Sequence, residues 1–145
     1  MSNWLKYYDE EMKIFSKWQN RKITTDIATK AIRRLQRHYK LLPIEIDYGS
    51  GENGWSWAIS ANFMHNNKLH LNQDRLNWLL VAHELAHLLL DHRRLRGFEP
   101  PGRDHGPAHR ALVEDILNYV DTKQWHRGRL SAPKINRYTA NKEAA

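Results

Sequence analysis

The sequence predicts an α+β domain in which a small three-stranded sheet packs on a central helix, with further helices before and after it. Three observations carry that expectation. Apolar residues recur at helical spacing toward both ends of the chain, and period-two alternation is confined to the middle. Between the alternating segment and the last helix lies the most apolar run, LLVAHELAHLLLDH over 79–92. At 145 residues, the chain is long enough for one core and too short for two.

Residues 3–18 are expected to be helical, with Leu5, Tyr8, Met12, Ile14 and Phe15 forming an uneven apolar stripe among charges. A second helix starts at the cap signal Thr24-Thr25-Asp26 and runs to about Lys40. It carries Ile27, Ala31, Leu35 and Tyr39 on one face and Lys30, Arg33, Arg34 and Arg37 on the other. Pro43 closes helical options, and Ile44 to Tyr48 then alternates as a half-buried strand does. Gly49 to Gly54 is a turn or loop. Trp55 to Met64 is β-prone, His65 to Lys68 makes a tight turn, and Leu69 to Leu71 returns as the second arm of a hairpin. Asn72 or Asp74 can cap the central helix, which is apolar nearly all round. A basic, then Pro- and Gly-rich loop is expected from Asp91 to Arg103. The last helix starts near Pro107, a residue suited to a first helical position, and runs through Val120.

The chain has no cysteine, so disulfide scaffolds, cysteine nucleophiles and thiolate metal sites are excluded together. The N-terminus lacks the features of a signal peptide and no apolar run approaches bilayer length. A cytoplasmic monomer without membrane partners is expected. There is no internal repeat and no low-complexity segment. The net charge is +7. Six basic residues from Lys123 to Lys142 face only Glu143, so the segment 122–145 carries +5 of that total. Residues 1–121 are therefore expected to form the folded domain and 122–145 a basic tail. Such a tail, with Arg33, Arg34 and Arg37, is a candidate nucleic-acid contact; its plainer role is a solvated segment that aids solubility.

Within the apolar run, His83, Glu84, Leu85, Ala86 and His87 form HExxH. Residues four apart on a helix lie one turn above each other, so both imidazoles point at one spot. Burying them in an apolar helix is costly unless they are satisfied, and a zinc ion satisfies both at once. Glu84 sits beside them, where it can act as general base. A catalytic zinc normally takes three protein ligands. His92, His105, His109 and Glu114 are the candidates for the third. His105 is favoured by its place at the start of the last helix, after a loop long enough to turn the chain back.

HELAH followed after a loop by HGPAH resembles the SprT-like, Spartan-type zinc metallopeptidases, whose pattern is HExxH followed by His-Gly-Pro and an aromatic. The resemblance covers about residues 68–121. It implies a minimal zincin-like domain, with His105 as third zinc ligand and one zinc per chain. Where the family has an aromatic, this chain has His109, which could be a packing group, an alternative ligand or a polar group near substrate. The family's zinc ribbon is absent. In zincins the edge strand pairs with an extended substrate, and Trp55–Met64 or Leu69–Leu71 would supply it.

These residues predict a zinc-dependent peptidase, with His83, His87 and His105 on the metal and Glu84 as base. His109, Arg110, Tyr119 and Tyr138 are candidates to stabilise the oxyanion, and Asp91, Asp104 or Glu114 to orient the imidazoles. Two other functions compete: a nucleic-acid-binding module with a structural zinc, and a zinc hydrolase acting on a non-peptide amide.

Overall fold

In the computed structural model, which describes residues 3–51, 54–100 and 102–131, the two alternating segments become a mixed sheet and the apolar run becomes its backing helix. The helices are α1 (Asn3–Ile14), α2 (Ser16–Gln19), α3 (Thr25–His38), α4 (Trp78–Leu95) and α5 (Pro107–Thr122). The strands are β1 (Ile44–Gly49), β2 (Trp57–Ile59) and β3 (Asn67–Asn72). The protein is an α+β domain with a small three-stranded sheet.

The strand order is β1-β3-β2, with β1 parallel and β2 antiparallel to β3. The antiparallel pairing expected between 55 and 71 is therefore present as β2 and β3, but the first arm shortens to Trp57–Ile59 and Asn67 and Lys68 belong to β3, so the connection is the longer segment 60–66 and not a tight turn at 65–68. Leu69 to Leu71, however, lies in the central strand with both sides paired, so it offers no free edge; of the two expected edges only the β2 segment remains. Leu69 and Leu71 point into the core with Ile44 from β1, which is the usual reason a central strand carries its largest aliphatics on one face.

The helix expected over 3–18 breaks at Phe15, which turns inward with Trp18 to bury both rings. Thr24 caps α3 as expected, accepting from the Ile27 amide. The cap of α4 is Asn77, whose side chain accepts from the Leu80 amide. Asn72 instead caps the short 3-10 turn Gln73–Arg75 and donates to the Gly51 and Gly54 carbonyls. α4 continues to Leu95, so Asp91 is helical and bonds to Ser60 beyond β2. Buried residues lie all round its middle, from Trp78 to Leu90.

α5 packs along α4, with Gly106 at its N-cap and Pro107 as its first residue. Packing runs past residue 121, where a tail was expected to begin, because Trp125 and Leu130 are both in the core. The basic residues from Lys134 onward lie outside the described residues. On α3, Arg33 donates to the Ile44 carbonyl at 2.5 Å; Arg33 and Arg37 are exposed and Arg34 is half-buried. Among the described residues no helix is long and apolar enough to cross a membrane.

Candidate metal centre

The helical period of α4 puts His83, Glu84 and His87 where the core meets a cleft. His83 is 1% exposed and Glu84 3%. His83 Nδ1 lies 2.7 Å from Glu11 Oε1 on α1. A carboxylate oxygen accepts, so the proton sits on Nδ1 and Nε2 keeps its lone pair. That Nε2 is buried with no hydrogen-bond partner, and so is Glu84 Oε2. Buried polar atoms are seldom left this way, since each costs about 1–3 kcal/mol.

His105 comes from the loop entering α5 and is partly exposed. Its Nε2 faces His87 Nε2 at 3.1 Å. Two imidazole nitrogens on one tetrahedral zinc, each bonded at 2.0–2.1 Å, lie about 3.3 Å apart. The pair is therefore spaced for a shared ion.

His109, one turn further along, is fully buried. Nitrogen atoms of His83, His87 and His109 fall within 4.8 Å of one another, so distance alone favours His109 as the third ligand. Its hydrogen bonds argue otherwise. Nε2 lies 2.9 Å from the His83 carbonyl and must donate to it, and Nδ1 takes the Tyr7 hydroxyl proton at 2.7 Å. Neither lone pair is left for an ion. His109 is thus engaged through both ring nitrogens as a buried polar packing group, whereas His105 Nε2 faces the His87 nitrogen. His92 stands apart, in a basic surface cavity with Arg93 and Arg96, and Glu114 is exposed in a cavity beside His105.

Burial lowers the pKa of His83 to about 3 and of His109 to about 4. His87 is lowered further by burial and then by the neighbouring imidazoles, and His105 is lowered chiefly by burial. All four are neutral at pH 7, as ligand imidazoles must be. Burial raises Glu84 to about 7, with the Glu11 charge adding to it, and raises Glu11 to about 7 as well. A bound dication would pull both carboxylates back down. The three-imidazole donor set suits zinc and related transition ions rather than calcium or magnesium.

α1 supplies what the sequence did not announce. Glu11 orients His83, whereas two of the carboxylates expected in that role are paired elsewhere, Asp91 with Ser60 and Asp104 with Arg94. Glu114 is likewise not the partner of His83. Tyr7 fixes His109, and the Tyr8 ring stacks on His83 with centroids 4.6 Å apart. The spacing of Tyr7 and Glu11, four apart on one helix face, was the sole signal available. Of the oxyanion candidates, His109 is engaged through both ring nitrogens. Arg110 reaches Glu10 and the Tyr7 carbonyl, and Tyr119 packs on His38 and Trp125. Tyr138 lies outside the described residues.

Two cavities adjoin the centre. One, of about 910 Å³, has a mixed lining in which Lys6, Glu10, Arg103, Arg110 and Glu114 carry charge beside His105. The other, of about 320 Å³, is mostly apolar and has Glu84 in its wall. Comparison of the chain with family models, with curated proteins and with solved structures finds no match.

Proposed function

We propose that the protein is a zinc-dependent peptidase in which His83, His87 and His105 hold the ion and Glu84 is the general base. The observation that carries this is the His83 Nε2 lone pair, buried without a partner beside the facing nitrogens of His87 and His105. The HELAH and HGPAH pattern, similar to that of SprT-like metallopeptidases, points the same way. A closed structural site would need a fourth ligand, and His109, the nearest, has both ring nitrogens engaged.

A zinc ion so held supplies Lewis acidity that polarises a carbonyl and makes water nucleophilic near pH 7. The chain's own residues do the rest. Glu84 removes the proton from the attacking water and delivers it to the leaving amine, with burial raising its carboxyl pKa and the ion's charge opposing that rise. Glu11 keeps the His83 proton on Nδ1 and so keeps Nε2 available. β2, the edge strand of the sheet that packs against α4, offers backbone groups on which an extended peptide can add a strand.

The test is metal content together with cleavage of a mixed peptide library by wild type and Glu84→Gln, both purified without metal-affinity tags. About one zinc per chain in both proteins is expected, with cleavage lower by about 10²–10⁴-fold in Glu84→Gln. Absence of zinc, or cleavage unchanged by Glu84→Gln, overturns the proposal. Zinc without peptide cleavage, but with hydrolysis of small amides, would move the substrate to the non-peptide alternative.

A further inference from the structure

We infer that the apolar cavity beside Glu84 is a specificity subsite that receives one large apolar side chain next to the scissile bond; this rests on the peptidase proposal and narrows its substrate class. The cavity holds about 320 Å³, at the lower end of the range for small-ligand pockets and suited to a single side chain. Leu5, Tyr8 and Met12 reach it from one face of α1, at the three- and four-residue spacings that align side chains on a helix. Leu80, one turn before Glu84, closes it from α4, and Trp55, just ahead of β2, closes it from the sheet.

Two features tie this trench to the reacting centre. Its wall includes Glu84 itself, and its Tyr8 ring is the same ring that stacks on His83. A side chain lying in the trench is therefore within one residue's reach of the bond that Glu84 would serve. Leu5, Met12 and Trp55 are 42%, 38% and 68% exposed. Such a convergence of large apolar groups at the mouth of a polar centre gains most when another apolar group covers it. Asp9 and Arg75 carry opposite charges at its edge, so the trench has no net cation to favour an acidic side chain, and an incoming carboxylate would meet Glu84. The larger cavity lies past His105. The cleft is thus apolar on the Glu84 side of the centre and charged on the other.

The experiment uses the full chain loaded with zinc and three hydroxamates that share the metal-binding group: acetohydroxamate, 3-phenylpropionohydroxamate and succinohydroxamate. Affinity is read by calorimetry. The phenyl compound is expected to bind about 10- to 100-fold more tightly than acetohydroxamate, the ratio expected for burying one large side chain, and the acid no more tightly than acetohydroxamate. In Met12→Glu and in Trp55→Ala, both at exposed positions, the phenyl-to-acetyl ratio should fall toward one. An equal ratio in wild type, or a ratio that survives both substitutions, overturns the subsite while leaving the metal proposal standing. Failure of acetohydroxamate itself to bind would remove the metal proposal and the subsite together.

Discussion

α1 and α5 reach the same stretch of α4 and treat its imidazoles in opposite ways. α5 and its entry loop bring nitrogen: His105 faces His87, and His109 lies beneath. α1 brings oxygen acids: the Glu11 carboxylate on His83 and the Tyr7 hydroxyl on His109. One side presents a lone pair and the other decides where protons sit. The difference teaches that crowding four histidines together does not define a ligand set. The hydrogen bonds behind them select which nitrogens are left open.

The comparison breaks most sharply at the two histidines of the α5 side. His105→Ala should weaken zinc binding by more than about 100-fold, beyond the ~10–100-fold typical of an outer partner, with little change in the metal-free melting temperature. His109→Ala should do the reverse: zinc is retained, but stability falls by about 2–4 kcal/mol, because a buried ring is lost and two polar partners are orphaned. Chelator competition and denaturant unfolding of both variants separate the two. Equal metal loss in both would make His109 a ligand.

Next in size is Glu11→Gln. Metal affinity should drop about 10- to 100-fold, since the amide holds His83 without carboxylate charge. Metal-free stability should move the other way. Burial raises the Glu11 pKa from 4.5 to about 7, so the folded chain binds more protons than the unfolded one between those values. Its contribution is fully favourable below pH 4.5 and is lost as pH rises through 7. Stability curves of the chelated proteins should therefore show Glu11→Gln gaining on wild type at pH 8 relative to pH 4.5.

A smaller effect is expected from Tyr7→Phe, about 1 kcal/mol of stability, because His109 Nδ1 loses its donor while Nε2 keeps the His83 carbonyl. Zinc content should not change. The acidic limb of the rate profile sharpens the picture further. Glu84 must be ionised to accept a proton, and burial raises it to about 7. With the ion's charge pulling it down, the limb of kcat/KM should fall between 4.5 and about 7.

The residues of the centre differ in how plainly the sequence shows them. His83, Glu84 and His87 are legible because their geometry is local: one helical period in an apolar run sets it. His105 is legible more weakly, through a Pro-marked helix start that the structure keeps at Gly106 and Pro107. Glu11 was not legible, because its partner lies 72 positions away and its own surroundings are an ordinary charged helix. The same holds for the sheet: alternation located the strands, whereas the parallel pairing of β1 with β3, which puts β3 in the centre, is a long-range choice. The α4 cap was misplaced for a local reason, since Asn72, Asp74 and Asn77 are all able cap formers and the intervening 3-10 turn took the first.

Tyr7 and His109 meet across 102 positions of chain. Contacts of that separation close large loops and are slow to form. A growing chain that has yet to extend past the end of α4 holds only the His83 and His87 pair, with neither the His105 nitrogen nor the clamp that joins Tyr7 to α5. The four-histidine cluster is consequently completed only once α1 and α5 have both docked on α4.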